Sequence, residues 1–249
     1  MSLVGGQPIS CEQQQRMKKI AILQSNYIPW KGYFDLINSV DEFVIYDTVQ
    51  YTKNDWRNRN RIKTSQGVQW LTIPVRQKKL SQRIDETEVQ AQQWHGKHWK
   101  AITQSYSRAA HFKTFRDEFE ALYVEKAASL RLLSEINVQF IVAICSLLGI
   151  ETQITFADSL VSGEKSERLV RICKERRAAA YLSGPSAKGY LDTELFRRNN
   201  IAVEWMDYAG YPVYPQLHGE FVHEVSIIDL ICNVGKDAQR YMKSFHREK

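Results

Sequence analysis

The densest chemical signal in the chain is the run Gln50-Tyr51-Thr52-Lys53-Asn54-Asp55-Trp56-Arg57-Asn58-Arg59-Asn60-Arg61-Ile62-Lys63, in which cations alternate with amides and aromatic rings. If its second half is a strand, Arg57, Arg59, Arg61 and Lys63 point to one side about 7 Å apart, and Trp56, Asn58, Asn60 and Ile62 point to the other. A guanidinium donates two parallel hydrogen bonds from a planar fork, which matches phosphate and carboxylate oxygens. At this spacing the stripe spans a diphosphate or a row of nucleic-acid phosphates. A solvated edge strand guarded by charge has the same alternation. Such an edge more often mixes Lys with Glu and Thr, so the interleaved Trp56 and asparagines favour an anion-binding face.

Other reactive side chains carry weaker signals. His95 and His98 have a spacing found in some metal sites, but no third ligand lies at a matching distance and no metal is expected. His98, Ile102 and Tyr106 share one helix face. On a cleft wall His98 would be a general base near neutral pH, beside the plainer reading of a packed or surface histidine. Cys11, Cys145, Cys173 and Cys232 are widely spaced and read as reduced, the last three as packed core residues. Gly-x-Ser-x-Gly, Walker, Gly-x-Gly-x-x-Gly and zinc-finger spacings are all absent, and no cofactor is expected.

An α/β frame must position these residues. With 249 residues, 43% of them hydrophobic, the chain can bury a substantial core. Charged residues at 25% and the lack of repeats or low-complexity tracts exclude disordered and solenoid classes. A net charge of +6 favours anionic partners without choosing nucleic acid over small phosphates. Residues 1–16 are polar and Gln-rich and read as a disordered N-terminal tail without the apolar stretch of a signal peptide. No segment offers the about 18 uninterrupted apolar residues of a membrane helix, so a cytoplasmic protein with no membrane insertion is expected.

Residues 19–23 and 43–46 read as short buried strands. The helix between them, over 30–40, carries Tyr33, Phe34, Ile37 and Val40 behind Pro29, which predicts a β-α-β unit with parallel strands. Residues 57–63 and 68–75 flank Ser65-Gln66-Gly67 and predict a hairpin. Helices follow over 93–109, 113–126 and 129–148, the last stopped by Gly149. Strands at 153–156, 179–182 and 202–206 then alternate with helices at 165–177 and 192–198, before a Tyr/Pro-rich loop over 208–219 and a final helix over 226–245. The predicted fold class is α/β: a single domain over residues 17–249 with a mostly parallel sheet, a β-hairpin insertion and a helical insertion.

Ligands of open parallel sheets bind beyond the carboxyl ends of the strands, where loops and helix N-termini converge. Here those ends carry Gln24-Ser25-Asn26-Tyr27, Asp47, Asp158-Ser159, Ser183-Gly184-Pro185-Ser186 and Asp207. Turn chemistry alone accounts for any one of them. Five polar ends together point to a site, with residues 24–63 at its centre.

The blocks Gln24-Ser25-Asn26-Tyr27-Ile28-Pro29-Trp30-Lys31-Gly32-Tyr33-Phe34-Asp35, Asp47-Thr48-Val49-Gln50-Tyr51, Trp56-Arg57-Asn58-Arg59, Tyr181-Leu182-Ser183-Gly184-Pro185 and Ser226-Ile227-Ile228-Asp229-Leu230 resemble the signature blocks of the WbqC-like family, in the same order and spacing from about Lys18 to the end of the chain. That resemblance implies a bacterial protein of the kind found among genes for O-antigen and other surface polysaccharides, with a transferase role in making or decorating an activated sugar. Two positions depart from the pattern. Ser25 stands where the family usually has proline, which is expected to loosen that loop, and His223-Glu224 precedes the Ser-x-x-Asp block, where histidine is rare.

On this resemblance the expected partner is an anionic small molecule, a nucleotide-sugar or another phosphorylated donor, with nucleic acid ranked behind it. Arg57, Arg59 and Arg61 would hold phosphates, Tyr27, Trp30 and Trp56 would stack on a base or sugar ring, and Gln24 and Asn26 would orient it. Gln50, Tyr51, Asn58, Ser183 and Gly184 complete the expected binding set. Asp47 or His98 would activate an acceptor hydroxyl or amine. Two other classes stay open: a basic nucleic-acid-binding protein and a non-catalytic scaffold of a polysaccharide assembly complex.

Overall fold

Three buried apolar runs and two partly buried ones give the molecule its frame. In the computed structural model, which describes residues 17–90, 93–158, 163 and 165–246, β1 (Lys19–Leu23) leads through α1 (Lys31–Asn38) to β2 (Glu42–Ile45). The two strands pair in parallel, Ile20 opposite Glu42 and Leu23 opposite Ile45. The predicted tail over 1–16, Cys11 and Ser159 lie outside the described residues. The hairpin β3 (Arg59–Thr64) and β4 (Gly67–Thr72) follows, then a small pair that periodicity did not reveal, β5 (Val75–Arg76) with β6 (Glu88–Val89).

The helical insertion consists of α2 (Trp94–Tyr106), α3 (Phe112–Glu120), a π-helical turn (Ala121–Lys126) running into α4 (Ala127–Ser129), and α5 (Leu133–Leu148). Gly149 ends α5 with φ of 70°, the left-handed stop its position predicts. The alternation resumes with β7 (Gln153–Phe156), α6 (Lys165–Glu175), β8 (Ala180–Ser183), α7 (Thr193–Arg198) and β9 (Ala202–Trp205).

All five strands of the main sheet run parallel, in the order β7-β2-β1-β8-β9. Strands of a parallel sheet covered on both faces are apolar on both sides. In β1, Ala21 faces the core built from α1, α5 and the helical insertion, whereas Ile20 and Ile22 face the smaller core under α6 and α7 with Val170, Cys173 and Phe196. Cys145, Cys173 and Cys232 are buried and free, in keeping with packed thiols. No described helix is long and apolar enough to cross a membrane.

The chain's last segment differs from the single helix expected over 226–245. Ser226 accepts a hydrogen bond from the Ile228 amide to start α8 (Ile227–Val234), which stops at Gly235 and gives way to two 3-10 segments, Gly235–Tyr241 and Ser244–His246. Gly235 has φ of 62°, and a Cβ there would lie 2.5 Å from the His111 ring. Apolar periodicity continues through this point, but the backbone turns against His111 and only glycine fits.

Candidate functional site

Numbered in their own succession, the sheet's strands stand 3-2-1-4-5, so the chain leaves β1 in one direction and returns to β8 on its other flank. Beyond the carboxyl ends of such a pair the connections diverge and leave a crevice. Here it encloses about 1220 Å³. Gln24 at the end of β1 and Ser183 and Gly184 at the end of β8 line it, with Gln50 and Thr52 from the following loop. The first turn of α6 contributes Lys165, Ser166 and Arg168. The Arg168 Nε is buried without a hydrogen-bond partner among the described residues, so this wall holds an uncompensated cationic donor. Glu167 and Asp192 are the acidic members of the same cleft.

Arg57 lines neither this crevice nor a second cavity, but it bonds to one lining residue of each. It lies in the turn before β3, where Asn54 is left-handed with φ of 58°. Its Nη2 donates to Gln24 Oε1 at 3.1 Å and its Nη1 donates to Asn26 Oδ1, with the Asp55 carboxylate 3.6 Å from Nη2. Gln24 lines the crevice; Asn26 lines the second pocket, of about 500 Å³, together with Trp30, Trp56, Tyr208, Tyr211, His223 and Glu224. Trp30 meets Tyr208 and Tyr211 edge-on, at 5.2 and 5.7 Å between ring centres.

The backbone that carries Trp30 is strained and braced. Ile28 has φ of 37°, rare for a β-branched residue. Asn60 Nδ2 donates to the carbonyls of both Tyr27 and Ile28 at 3.0 Å, which holds that conformation. A Cβ at Gly32 would lie 2.3 Å from the Trp30 ring, so glycine lets the indole lie against α1. Beneath the pocket, Lys31 Nζ donates to the Pro212 carbonyl at 3.1 Å and sits over the rings of Tyr211 and Tyr214. Burial lowers its pKa to about 8.

Asp47 stands at the end of β2 as expected, but it is 2% exposed and lines neither cavity. Its carboxylate accepts from the Ser25 amide at 2.8 Å, the Ser25 hydroxyl at 2.6 Å and the Ser134 hydroxyl at 2.5 Å. Desolvation raises its pKa, opposed by these donors. Ser25, expected to loosen its loop, is fully buried; its hydroxyl donates to Asp47 and accepts from Asn137 Nδ2 at 3.1 Å. The hydroxyl replaces by hydrogen bonding the restraint that a proline ring would impose.

Several expected ligand-binding residues are core residues. Tyr27 is fully buried, its hydroxyl 2.8 Å from both His98 Nδ1 and the Tyr123 hydroxyl. His98 is packed among Tyr27 and Trp94 rather than on a cleft wall; burial lowers its pKa to about 4, although it donates to the Thr72 carbonyl. Tyr51 is buried, and so is Asn58, whose Nδ2 donates to the Ile73 carbonyl at 2.8 Å. These polar tips hydrogen-bond inward because the rings around them exclude water.

The cationic stripe is also divided. Arg59 and Arg61 share a face and stack on Trp70, at 4.3 and 5.5 Å from its ring centre. Trp56, expected on the opposite side, lies with them, 5.4 Å from Trp70, because residues 53–58 form a turn and not strand. Arg61 donates to Glu224 at 2.8 Å on the rim of the aromatic pocket, whereas Arg59 reaches the Asn54 carbonyl. Lys63 is buried and tied to Gln216 and the Gly219 and Glu220 carbonyls. Tyr208, Tyr211, His223 and Arg168 line the two cavities without being among the residues that the sequence singles out as a site. The first two lie in the loop flagged as rich in Tyr and Pro, and His223 was visible only as a departure from the family pattern.

Comparison with known proteins bears on the whole of this region. The model of the WbqC-like protein family matches residues 24–241. The uncharacterized protein Rv1507c of Mycobacterium tuberculosis is 50% identical over 229 residues, which is 91% of this chain and 98% of that protein. No solved structure matches the chain. The chain belongs to the WbqC-like family.

Proposed function

We propose that this WbqC-like protein is a cytoplasmic transferase of bacterial surface polysaccharide biosynthesis, and that it binds a nucleotide-activated sugar in the crevice between β1 and β8. The observation that carries this reading is the position of Arg57 between Gln24 and Asn26. A diphosphate lying against this guanidinium would have the crevice on one side and the aromatic pocket on the other. Lys165 and the unpartnered Arg168 donor add positive charge to the crevice wall. Asp47 acts in this reading as a positioning residue, which fixes the first strand-end loop through Ser25.

A thermal-shift screen of nucleoside diphosphates and nucleotide-sugars tests the assignment, since a ligand that binds only the folded state raises its melting temperature. At least one nucleoside diphosphate is expected to stabilise the wild type and to lose that effect in Arg168→Ala. If none shifts the transition at millimolar concentration, the crevice is not a nucleotide site. One observation favours a second reading, the stack of exposed Trp56 and Trp70 with half-buried Arg59 and Arg61 at the hairpin, which suits the bases and phosphates of single-stranded nucleic acid. Such binding would weaken steeply with salt, whereas a single diphosphate in a crevice is affected far less.

A further inference from the structure

We infer that the aromatic pocket beside Arg57 is a hexose-ring subsite with His223 and Asn26 as its hydroxyl-binding groups. That the same ligand continues into the crevice rests on the nucleotide-sugar reading above; the pocket's preference for a pyranose does not.

Its size, about 500 Å³, is that of a small-molecule site. The arrangement of its rings chooses the occupant. A planar base is best held between two parallel ring faces, but Trp30 stands at 63° to Tyr208 and 66° to Tyr211, and Trp56 is paired with Trp70 rather than with another ring of the pocket. None of these touching pairs presents parallel faces, so what each offers a ligand is a single ring face. A pyranose asks for something else: one apolar ring surface against its C–H face, and hydrogen-bonding groups around the equatorial hydroxyls.

Those groups are present and unspent. Among the described residues neither ring nitrogen of His223 has a hydrogen-bond partner, and the Phe221 ring lies edge-on to it at 4.6 Å. Asn26 uses Oδ1 for Arg57, and among the described residues its Nδ2 donor has no acceptor. Glu224 engages Arg61 through one carboxylate oxygen and has the second to offer. Desolvation and the Lys31 charge lower the His223 pKa against the opposing pull of Glu224, which favours the neutral imidazole, a group that both donates and accepts. Asn60, by contrast, has its amide committed to the backbone and takes no part in binding.

Saturation-transfer difference NMR tests this without any nucleotide. The probes are methyl gluco-, galacto- and mannopyranosides, the matching hexose 1-phosphates, and uridine, thymidine and guanosine as controls. At least one hexose probe is expected to receive saturation on its ring protons, and Trp30→Ala and His223→Ala should each reduce it about five-fold, the order of one lost stacking or hydrogen-bonding contact. His223 is exposed, so its variant tests the site even if Trp30→Ala disturbs the fold. Three results would overturn the inference: no hexose probe saturates, both variants leave the signal unchanged, or the nucleosides rather than the hexoses lose their signal in Trp30→Ala. A wild type that no nucleoside diphosphate stabilises would defeat only the crevice reading, and the hexose result would stand by itself.

Discussion

Residues that look alike in the sequence divide sharply by burial. Tyr27 and His98 belong with the expected site residues by type, yet their polar tips bond each other inside an aromatic core. Nothing in spacing distinguishes a ring that faces a ligand from one that faces the core, because both need one apolar side and one hydrogen bond. The buried histidine has a consequence for stability. His98 titrates near pH 4 in the folded protein and near 6.5 when unfolded, so acidification protonates the unfolded chain first. Its contribution is present above about pH 6.5 and is lost as pH falls toward 4, by roughly 3 kcal/mol in all. Asp47 and Asp229, whose folded pKa values are raised by desolvation, act with the opposite sign. Urea titrations at pH 7 and pH 5 should show a steeper loss for wild type than for His98→Phe; equal losses would mean that His98 is not held neutral.

At the scale of elements, what was legible followed periodicity. The strands β1, β2, β7, β8 and β9 are short apolar runs bounded by turn residues, and each appears within a residue or two of its predicted place. The stretch over 208–219 reads correctly as an irregular loop, but its place at the aromatic pocket is not legible, because an irregular segment follows no period and is held by tertiary bonds. Asp229 provides several of them, accepting from Tyr106 at 2.8 Å, Tyr214 at 2.7 Å and Gln216 at 2.8 Å. The strained turn at Ile28 depends in the same way on a single side chain from β3. Removing it in Asn60→Ala would leave two carbonyls without their donor, a cost of about 2 kcal/mol or more. For a chain of this size that lowers the melting temperature by about 5 °C. Calorimetry checks the shift, and a melting temperature unchanged within error would show that the turn holds itself.

For the molecule as a whole, the polar strand ends point to a site, and the strand order decides which of them share it. The 3-2-1-4-5 order explains why Gln24, Ser183 and Gly184 meet while Asp158 and Asp207, on outer strands, line neither cavity. Sequence pattern yields the strands but not their lateral order, which is set by long-range packing, so the expected cationic stripe could not be resolved into Arg57 at the junction and Arg59 and Arg61 on the hairpin. The two-cavity arrangement predicts that binding of a nucleotide-sugar changes only modestly between low and moderate salt, in contrast to a nucleic acid on the hairpin.

The central claim, that Arg57 holds a diphosphate between the crevice and the aromatic pocket, is tested most directly by isothermal titration. Nucleotide-sugars are titrated into wild type and Arg57→Ala, and the fold of the variant is checked by circular dichroism. A lost charge-assisted contact of this kind should raise Kd about ten- to a hundred-fold for a nucleotide-sugar that binds wild type. The same Kd in both proteins would contradict the account, and so would a wild type that binds no member of the panel.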